Sequence, residues 1–166
     1  MSFDLSDQSK EKINLELGWV LKEFNDLSLI ELYAILRLRS EVFVVEQNCP
    51  FQDMDNIDQD CAHLMCWKDK DLVAYARIVP PNIIYEGFSS IGRVINSMSV
   101  RRLGVGKELL RKAIFETERI HKNTPIRIGA QFYLLKFYES FGFEKSSEIY
   151  LLDGIEHIEM TRQIKS

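Results

Sequence analysis

The strand-like runs of this 166-residue chain are joined in two different ways, and that alternation most restricts its fold. Some joins are tight turns: Lys68-Asp69-Lys70-Asp71 links the runs 62–67 and 72–79, and Asp153-Gly154 links 143–151 and 155–163. Tight turns make antiparallel hairpins, and Asp-Gly is a strong signal for one. Other runs are separated by segments with helical periodicity. Hairpins mixed with crossover helices imply an α+β domain around a mixed sheet.

Residues 18–24 read as the first strand. Ser28, with Glu31 three positions on, has the pattern of a capping box. The helix it opens carries Leu29, Leu32, Leu36 and Phe43 on roughly one face and should end near Glu46, ahead of Pro50. An acidic loop (52–60) follows, then the first hairpin, which Pro80-Pro81 stops. Residues 91–97 are a further strand and 101–106 a glycine-bearing turn. Val105, Leu109, Ala113 and Ile114 mark a helix running to about His121. Residues 126–129 are a short strand, and 131–141 a helix with Leu134, Tyr138 and Phe141 aligned. Gly142 sits where a left-handed cap is expected. The order is β-α-β-β-β-α-β-α-β-β, about seven strands in one domain over 17–166, with 1–16 expected to be loose.

Composition narrows the function classes. With 46% hydrophobic and 28% charged residues, the chain is neither disordered nor collagenous, and no apolar run approaches the roughly 18 residues of a membrane span. The first residues lack the basic start and apolar stretch of a signal peptide. A charge of −4, from 21 basic and 25 acidic residues, disfavours gripping nucleic acid. Cys49, Cys61 and Cys66 form an odd, sparse set without C-x-x-C, so neither a disulfide framework nor a metal site is expected, and a reducing cytoplasm fits.

Chemistry concentrates at Arg101-Arg102-Leu103-Gly104-Val105-Gly106-Lys107, between a strand and a helix. Glycines leave backbone amides unshielded, and a helix start adds unpaired N–H groups and a positive dipole end, so a diphosphate is a natural ligand. Two nucleotide motifs fail here. Lys107 is followed by Glu108 rather than Ser or Thr, and position 109 is Leu where a dinucleotide fingerprint needs Gly. A plain tight turn remains open on the glycines alone.

The wider pattern resembles the GCN5-related N-acetyltransferase (GNAT) family. Arg101, Gly104 and Gly106 meet its Arg/Gln-x-x-Gly-x-Gly/Ala signature. Ala130-Gln131 with Phe137-Tyr138-Glu139-Ser140-Phe141-Gly142-Phe143 resembles a second family element. Residues 39–50, 91–94 and 153–158 are similar to its ElaA-type branch. The resemblance implies a mixed, mostly antiparallel central sheet flanked by helices, with the fourth and fifth strands splaying apart to admit acetyl-CoA, or another acyl-CoA, as co-substrate. It implies pantetheine contacts at Val94, Ile95 and Asn96, a diphosphate on Arg101 and on Leu103, Gly104, Val105, Gly106 and Lys107, and a further contact at Gln131. Three positions depart from the family: Met98 stands where Pro is common, Arg102 where Gly is common, and Gln131 where Asn is common.

By the same resemblance Tyr138 is the general acid that protonates the departing thiolate, although a helix tyrosine packed in the core is the alternative. A phenol is protonated at neutral pH and can serve a sulfur anion. The base is open among Glu46, His63 and His157. Glu46 qualifies if desolvation raises its pKa. Arg39, Phe43, Arg93 and His157 are candidates to orient the acceptor, with Arg39, Phe43 and Glu46 at i, i+4 and i+7 on one side of the helix. Asp53, Asp55, Asp58 and Asp60 either steer a cationic amine or are simply solvated, the reading preferred here. They lack the Gly and terminal Glu of a calcium loop. No cysteine lies in the motif that faces the thioester, so direct attack by a primary amine in a ternary complex is expected. The acceptor is a small molecule or a peptide or protein amine, and homodimerisation is left open. Two rivals remain: an acyl-CoA-binding sensor without turnover, and an enzyme like the acyl-homoserine lactone synthases, which the 39–46 stretch faintly resembles. The last would use an acyl-carrier-protein donor and S-adenosylmethionine.

Overall fold

The computed structural model describes residues 16–164, so the expectation for 1–16 falls almost wholly outside the described residues. Four antiparallel strands form the first sheet in the order β1-β2-β3-β4: β1 (Gly18–Glu23), β2 (Ala62–Lys68), β3 (Asp71–Val79) and β4 (Ser90–Asn96). The second sheet is built on β8 (Ile155–Arg162), which pairs with β5 (Ile126–Gln131), β6 (Glu144–Lys145) and β7 (Tyr150–Leu152). Helix α2 (Val105–Ile120) crosses from β4 to β5 and so makes those two strands parallel. They pair at one point only among the described residues. The Ser89 N–H donates to Pro125 O at 3.1 Å, and the Arg127 N–H to Ser89 O at 2.9 Å. Beyond it they part, giving the expected splay.

Alternation along β2 explains the layering. Leu64 and Cys66 face α2, where Leu109, Leu110 and Ala113 are fully buried. Met65, with Tyr75 of β3 and Ile95 of β4, packs against Ile35 and Leu38 of α1 (Leu29–Arg39) and Val42 just beyond it. Strands covered on both faces are largely apolar, as β2 and β3 are apart from the buried His63 and Arg77.

The capping box forms: Ser28 Oγ accepts from the Glu31 N–H at 3.1 Å, and the Glu31 carboxylate accepts from the Ser28 N–H at 2.8 Å. The buried face of the helix differs from the expected one. Leu29 is 85% exposed, and Ile35, Leu38, Arg39 and Val42 point inward instead. The α-helical repeat also stops at Arg39, and Ser40–Glu46 winds as a wider π-helical segment, its end marked by bonds from Gln47 N–H to Val42 O and from Cys49 N–H to Val44 O. Such segments carry an extra residue per turn, which periodicity at 3.6 cannot register.

Two more expectations shift. The single strand over 143–151 is β6 and β7, making eight strands among the described residues rather than seven. The register against β8 moves from Lys145↔Met160 to Tyr150↔His157, so two extra residues bulge out between them. There Ser147 Oγ accepts the Glu159 N–H at 2.9 Å in place of a strand carbonyl. The helix expected over 131–141 is shorter: Gln131 closes β5, a tight turn covers Phe132–Leu134, and α3 runs only over Leu135–Glu139. Gly142 (φ 84°) and the Asp153-Gly154 pair (φ 51° and 76°) take the left-handed conformations their turns require. No described helix is long and apolar enough to cross a membrane.

Candidate active site

The gap between β4 and β5 opens into a cleft of about 670 Å³. Its walls are β4, the end of β5 with the turn into α3, the π-helical segment and the β7–β8 hairpin. Along β4 the register changes from Arg77↔Gly92 to Tyr75↔Ile95, so three steps on β4 oppose two on β3. This β-bulge lies at Arg93 and Val94, with Arg93 in the left-handed region at φ 51°. The bulge bends β4 away from β5 and leaves an open strand edge at Val94, Ile95 and Asn96, all lining the cleft.

At the mouth, Arg101 to Gly104 turn tightly into α2. Gly104 (φ 83°) is the left-handed residue that starts the helix, and Arg102 also takes φ 63°, a conformation suited to the glycine common at that position. A Cβ on Gly106 would stand 3.4 Å from Asn96 Nδ2, so the helix start and the strand end approach each other closely here. Leu103, Gly104, Val105, Gly106 and Lys107 surround this helix start outside the cleft proper.

Arg101 and Glu46, read separately from the sequence as anion ligand and base, form a bidentate ion pair with each other, one arm being 2.9 Å long. Arg101 Nε and Nη2 also donate to Asn96 O, at 3.3 and 3.1 Å. The condition set for Glu46 as base is reversed: the Arg101 guanidinium holds its carboxyl below the usual range rather than above it. Gln131, expected at the pantetheine, exchanges side-chain hydrogen bonds of 3.2 and 3.5 Å with Gln47 and so ties β5 to the π-helical segment. Tyr138 comes from α3, lines the cleft, and is buried among Phe137 and Phe143 in edge-on contacts. Burial pushes its phenol well above the ordinary tyrosine range, which keeps it protonated at neutral pH.

Of the four loop aspartates, Asp60 is exposed, as the solvated reading expects, but the other three are neither solvated nor free to steer an amine. Asp53, Asp55 and Asp58 are bound into the interior by Arg39, Arg77 and Arg93. Arg39, expected to meet the acceptor, is fully buried instead; its Nε donates to Asp53 Oδ2 at 2.7 Å and its Nη1 to Asp58 Oδ1 at 2.8 Å. Arg77 donates to the same Asp58 oxygen at 2.8 Å and holds both oxygens of Asp55. Arg93 lines the cleft but donates to Asp53 O at 2.7 Å and to Asp55 Oδ2 at 3.3 Å, while its Nε lies 2.8 Å from Asp53 Oδ1 without hydrogen-bond alignment. Its guanidinium also stands 5.9 Å from the centre of the Phe43 ring, in the cleft wall. Three cations face three anions, so the cluster is neutral as buried charge requires. Burial pushes the Asp55 carboxyl up, but the bonds and charge of Arg77, with Arg93, overcome it and hold it at about 2. Asp58 is lowered against its burial in the same way by Arg39 and Arg77.

His63, a candidate base, lies in the core and does not reach the cleft. Its Nδ1 is 2.7 Å from the Tyr75 hydroxyl and its Nε2 is 2.9 Å from Asp58 O, so both ring nitrogens are engaged. His157 does line the cleft, from the first residues of β8, with Nδ1 2.8 Å from Ile155 O and its ring stacked on Tyr150 at 5.8 Å. The residues that sequence reasoning missed are Gln47, Tyr85, Tyr133 and Tyr150, all in the cleft lining. Tyr85 and Tyr150 bring their hydroxyls together over Gly129, where a Cβ would lie 3.4 and 3.0 Å from them. Only tertiary pairing gathers these residues; Gln47 lies within the branch-like 39–50 stretch, and the three tyrosines belong to no local motif.

The family model described as acetyltransferase (GNAT) domain matches residues 7–164, and this chain belongs to the GNAT acetyltransferases. Within the family it is similar to protein ElaA of Escherichia coli K12, at 44% identity over 150 residues, 89% of this chain and 97% of that protein. The crystal structure of E. coli ElaA superposes with a TM-score of 0.83 at 43% identity, covering 89% of this chain and 99% of that one. An acyl-CoA N-acyltransferase from Pseudomonas aeruginosa gives the same TM-score of 0.83 at 45% identity, covering 87% and 99%. The acyl-homoserine lactone synthase BjaI is alike at 16% identity and a TM-score of 0.66, over 81% of this chain and 76% of that one, a likeness of fold alone.

Proposed function

We propose that this protein transfers an acyl group, acetyl in the first instance, from an acyl-CoA thioester to a primary amine by direct attack in a ternary complex. The observation that carries the reading is the open β4 edge facing a buried, protonated Tyr138 across one cleft. An amide-bearing pantetheine arm would pair with Val94 to Asn96 much as an added strand does, and the diphosphate would rest on the amides of Leu103 to Lys107. Arg101 would meet that diphosphate by exchanging Glu46 for it. An N–H of β4 beside the bulge would polarise the thioester carbonyl.

The amine nitrogen attacks the carbonyl carbon, the C–N bond forms, and the C–S bond breaks. The Tyr138 hydroxyl gives its proton to the departing sulfur and recovers one from the acceptor nitrogen. No cysteine lines the cleft, and burial pushes the Cys61 and Cys66 thiols up to about 12 and 11, which argues against a covalent enzyme intermediate. Three free thiols also accord with a cytoplasmic setting. Amine-dependent release of coenzyme A thiol over a panel of primary amines tests the reading. The Tyr138→Phe variant should bind coenzyme A normally and lose roughly 10²–10⁴ in kcat. Equal rates in the two proteins remove Tyr138 from the chemistry.

A further inference from the structure

We infer that His157 is the general base, its Nε2 taking the proton from the acceptor amine. This rests on the amine-acyltransfer reading above. An amine must shed a proton to expose its lone pair, so a group with an available lone pair has to lie on the wall of the cleft. Among the described residues two carboxylates line it, Glu46 and Asp55, and each is engaged by arginine: Glu46 by Arg101, and Asp55 by Arg77 and Arg93. Both are therefore weak bases. The four lining tyrosines, Tyr85, Tyr133, Tyr138 and Tyr150, are protonated phenols with no lone pair basic enough for an ammonium.

His157 differs from all of these. Its Nδ1 sits 2.8 Å from Ile155 O. A carbonyl only accepts, so Nδ1 carries the hydrogen, and in the neutral ring the lone pair belongs to Nε2. Nε2 has no hydrogen-bond partner among the described residues. The ring is fixed by stacking on Tyr150, the partner of His157 in β7, while Gln131 is its partner in β5, and both of these line the cleft. This is the geometry of a positioned base: one nitrogen anchored to backbone, the other free. The titratable and charged groups that line the cleft with it are Tyr85, Tyr133, Tyr138 and Tyr150, with Asp55 held by Arg77 and Arg93 and Glu46 held by Arg101, while Glu156 and Glu159 lie near it along β8. In the step, Nε2 accepts one proton from the ammonium and later releases it to water, the amine attacks, and Tyr138 serves the thiolate as above.

His157→Asn tests this, because an asparagine amide can still donate to Ile155 O while the Nε2 position is lost. The wild type should show an acidic limb in the pH profile of kcat/KM with the best primary alkylamine of the panel. In the variant that limb should move up to the ammonium's own range, because only amine already neutral in solution can then react, and kcat at pH 7 should fall roughly 10²–10⁴-fold, with coenzyme A affinity unchanged within about twofold. With hydroxylamine, largely unprotonated at neutral pH, the variant should keep most of the wild-type rate. A second variant, His157→Gln, guards against a local folding defect, and the same pattern in both supports the assignment. An acidic limb left unmoved by the substitution, or equal losses with both acceptors, overturns the histidine alone. A wild type without amine-dependent turnover overturns the acyltransfer reading, and the histidine with it.

Discussion

Asp58→Asn is the most informative single change to the scaffold, because it removes one charge and almost no volume. Its Oδ1 accepts at 2.8 Å from both Arg39 and Arg77, two of the most deeply buried side chains in the protein. The substitution leaves Arg39, Arg77 and Arg93 facing only Asp53 and Asp55, so one guanidinium becomes an uncompensated buried charge. Two charge pairs at about 4 Å are each worth about 4 kcal/mol at an effective dielectric near 20, much of it offset by desolvation. Breaking such a pair from one side costs about 3–5 kcal/mol. For a chain of 166 residues that lowers Tm by roughly 6–20 °C, measured by circular dichroism on heating and checked by urea unfolding. Adding Arg39→Met restores a neutral cluster of two cations and two anions. The double variant should then be more stable than the sum of the single losses predicts, by at least about 1.5 kcal/mol. A loss under about 1 kcal/mol for Asp58→Asn, with additive behaviour of the pair, would refute the claim that these charges are desolvated and mutually dependent.

The same cluster sets the acid limit. Asp55 and Asp58 have depressed folded-state pKa values, so their contribution is complete above the unfolded carboxylate range near pH 4 and is lost as pH falls towards about 2. Asp55 alone should supply on the order of 1–2 kcal/mol after discounting for the part of its side chain that meets water. Urea midpoints should therefore drop steeply between pH 4 and 2, after a gentler loss that begins near pH 6.5 because burial holds the His63 imidazole below its usual range, and a drop absent between pH 4 and 2 counts against the assignment. Glu46→Gln should leave kcat within a few-fold, since its carboxyl is held by Arg101 and does not act as base. By releasing Arg101 from a half-exposed pair, the change should also tighten coenzyme A binding, by no more than about fivefold, as read by calorimetry. A collapse of kcat in that variant would restore Glu46 to the chemistry.

What could be read from the chain alone was whatever is encoded locally. The Ser28 capping box, the glycine-bearing turn at 101–106, the left-handed Gly142, the Asp153-Gly154 hairpin and the helix from Val105 depend on a few neighbouring residues, and all formed as read. The family followed from motifs of the same short range. Partnership across the chain was not local. Arg39 and the loop aspartates are separated by 14 and 19 residues, and Arg101 and Glu46 by 55. In sequence each reads as a solvated or substrate-facing charge; only packing β2 and β3 between two helical layers places the loop charges in the interior and makes them balance one another. The bulge in β4 and the π-helical segment each insert one residue against a regular period, which no hydrophobic pattern records, and together they decide which side chains face the cleft. His63 and His157 were indistinguishable as residues in a string; the fold engages both nitrogens of the first and leaves one nitrogen of the second open. Composition and spacing determine which elements form, because those are short-range free energies. The tertiary structure decides which charge or lone pair remains available for chemistry, because that depends on every group brought within bonding distance.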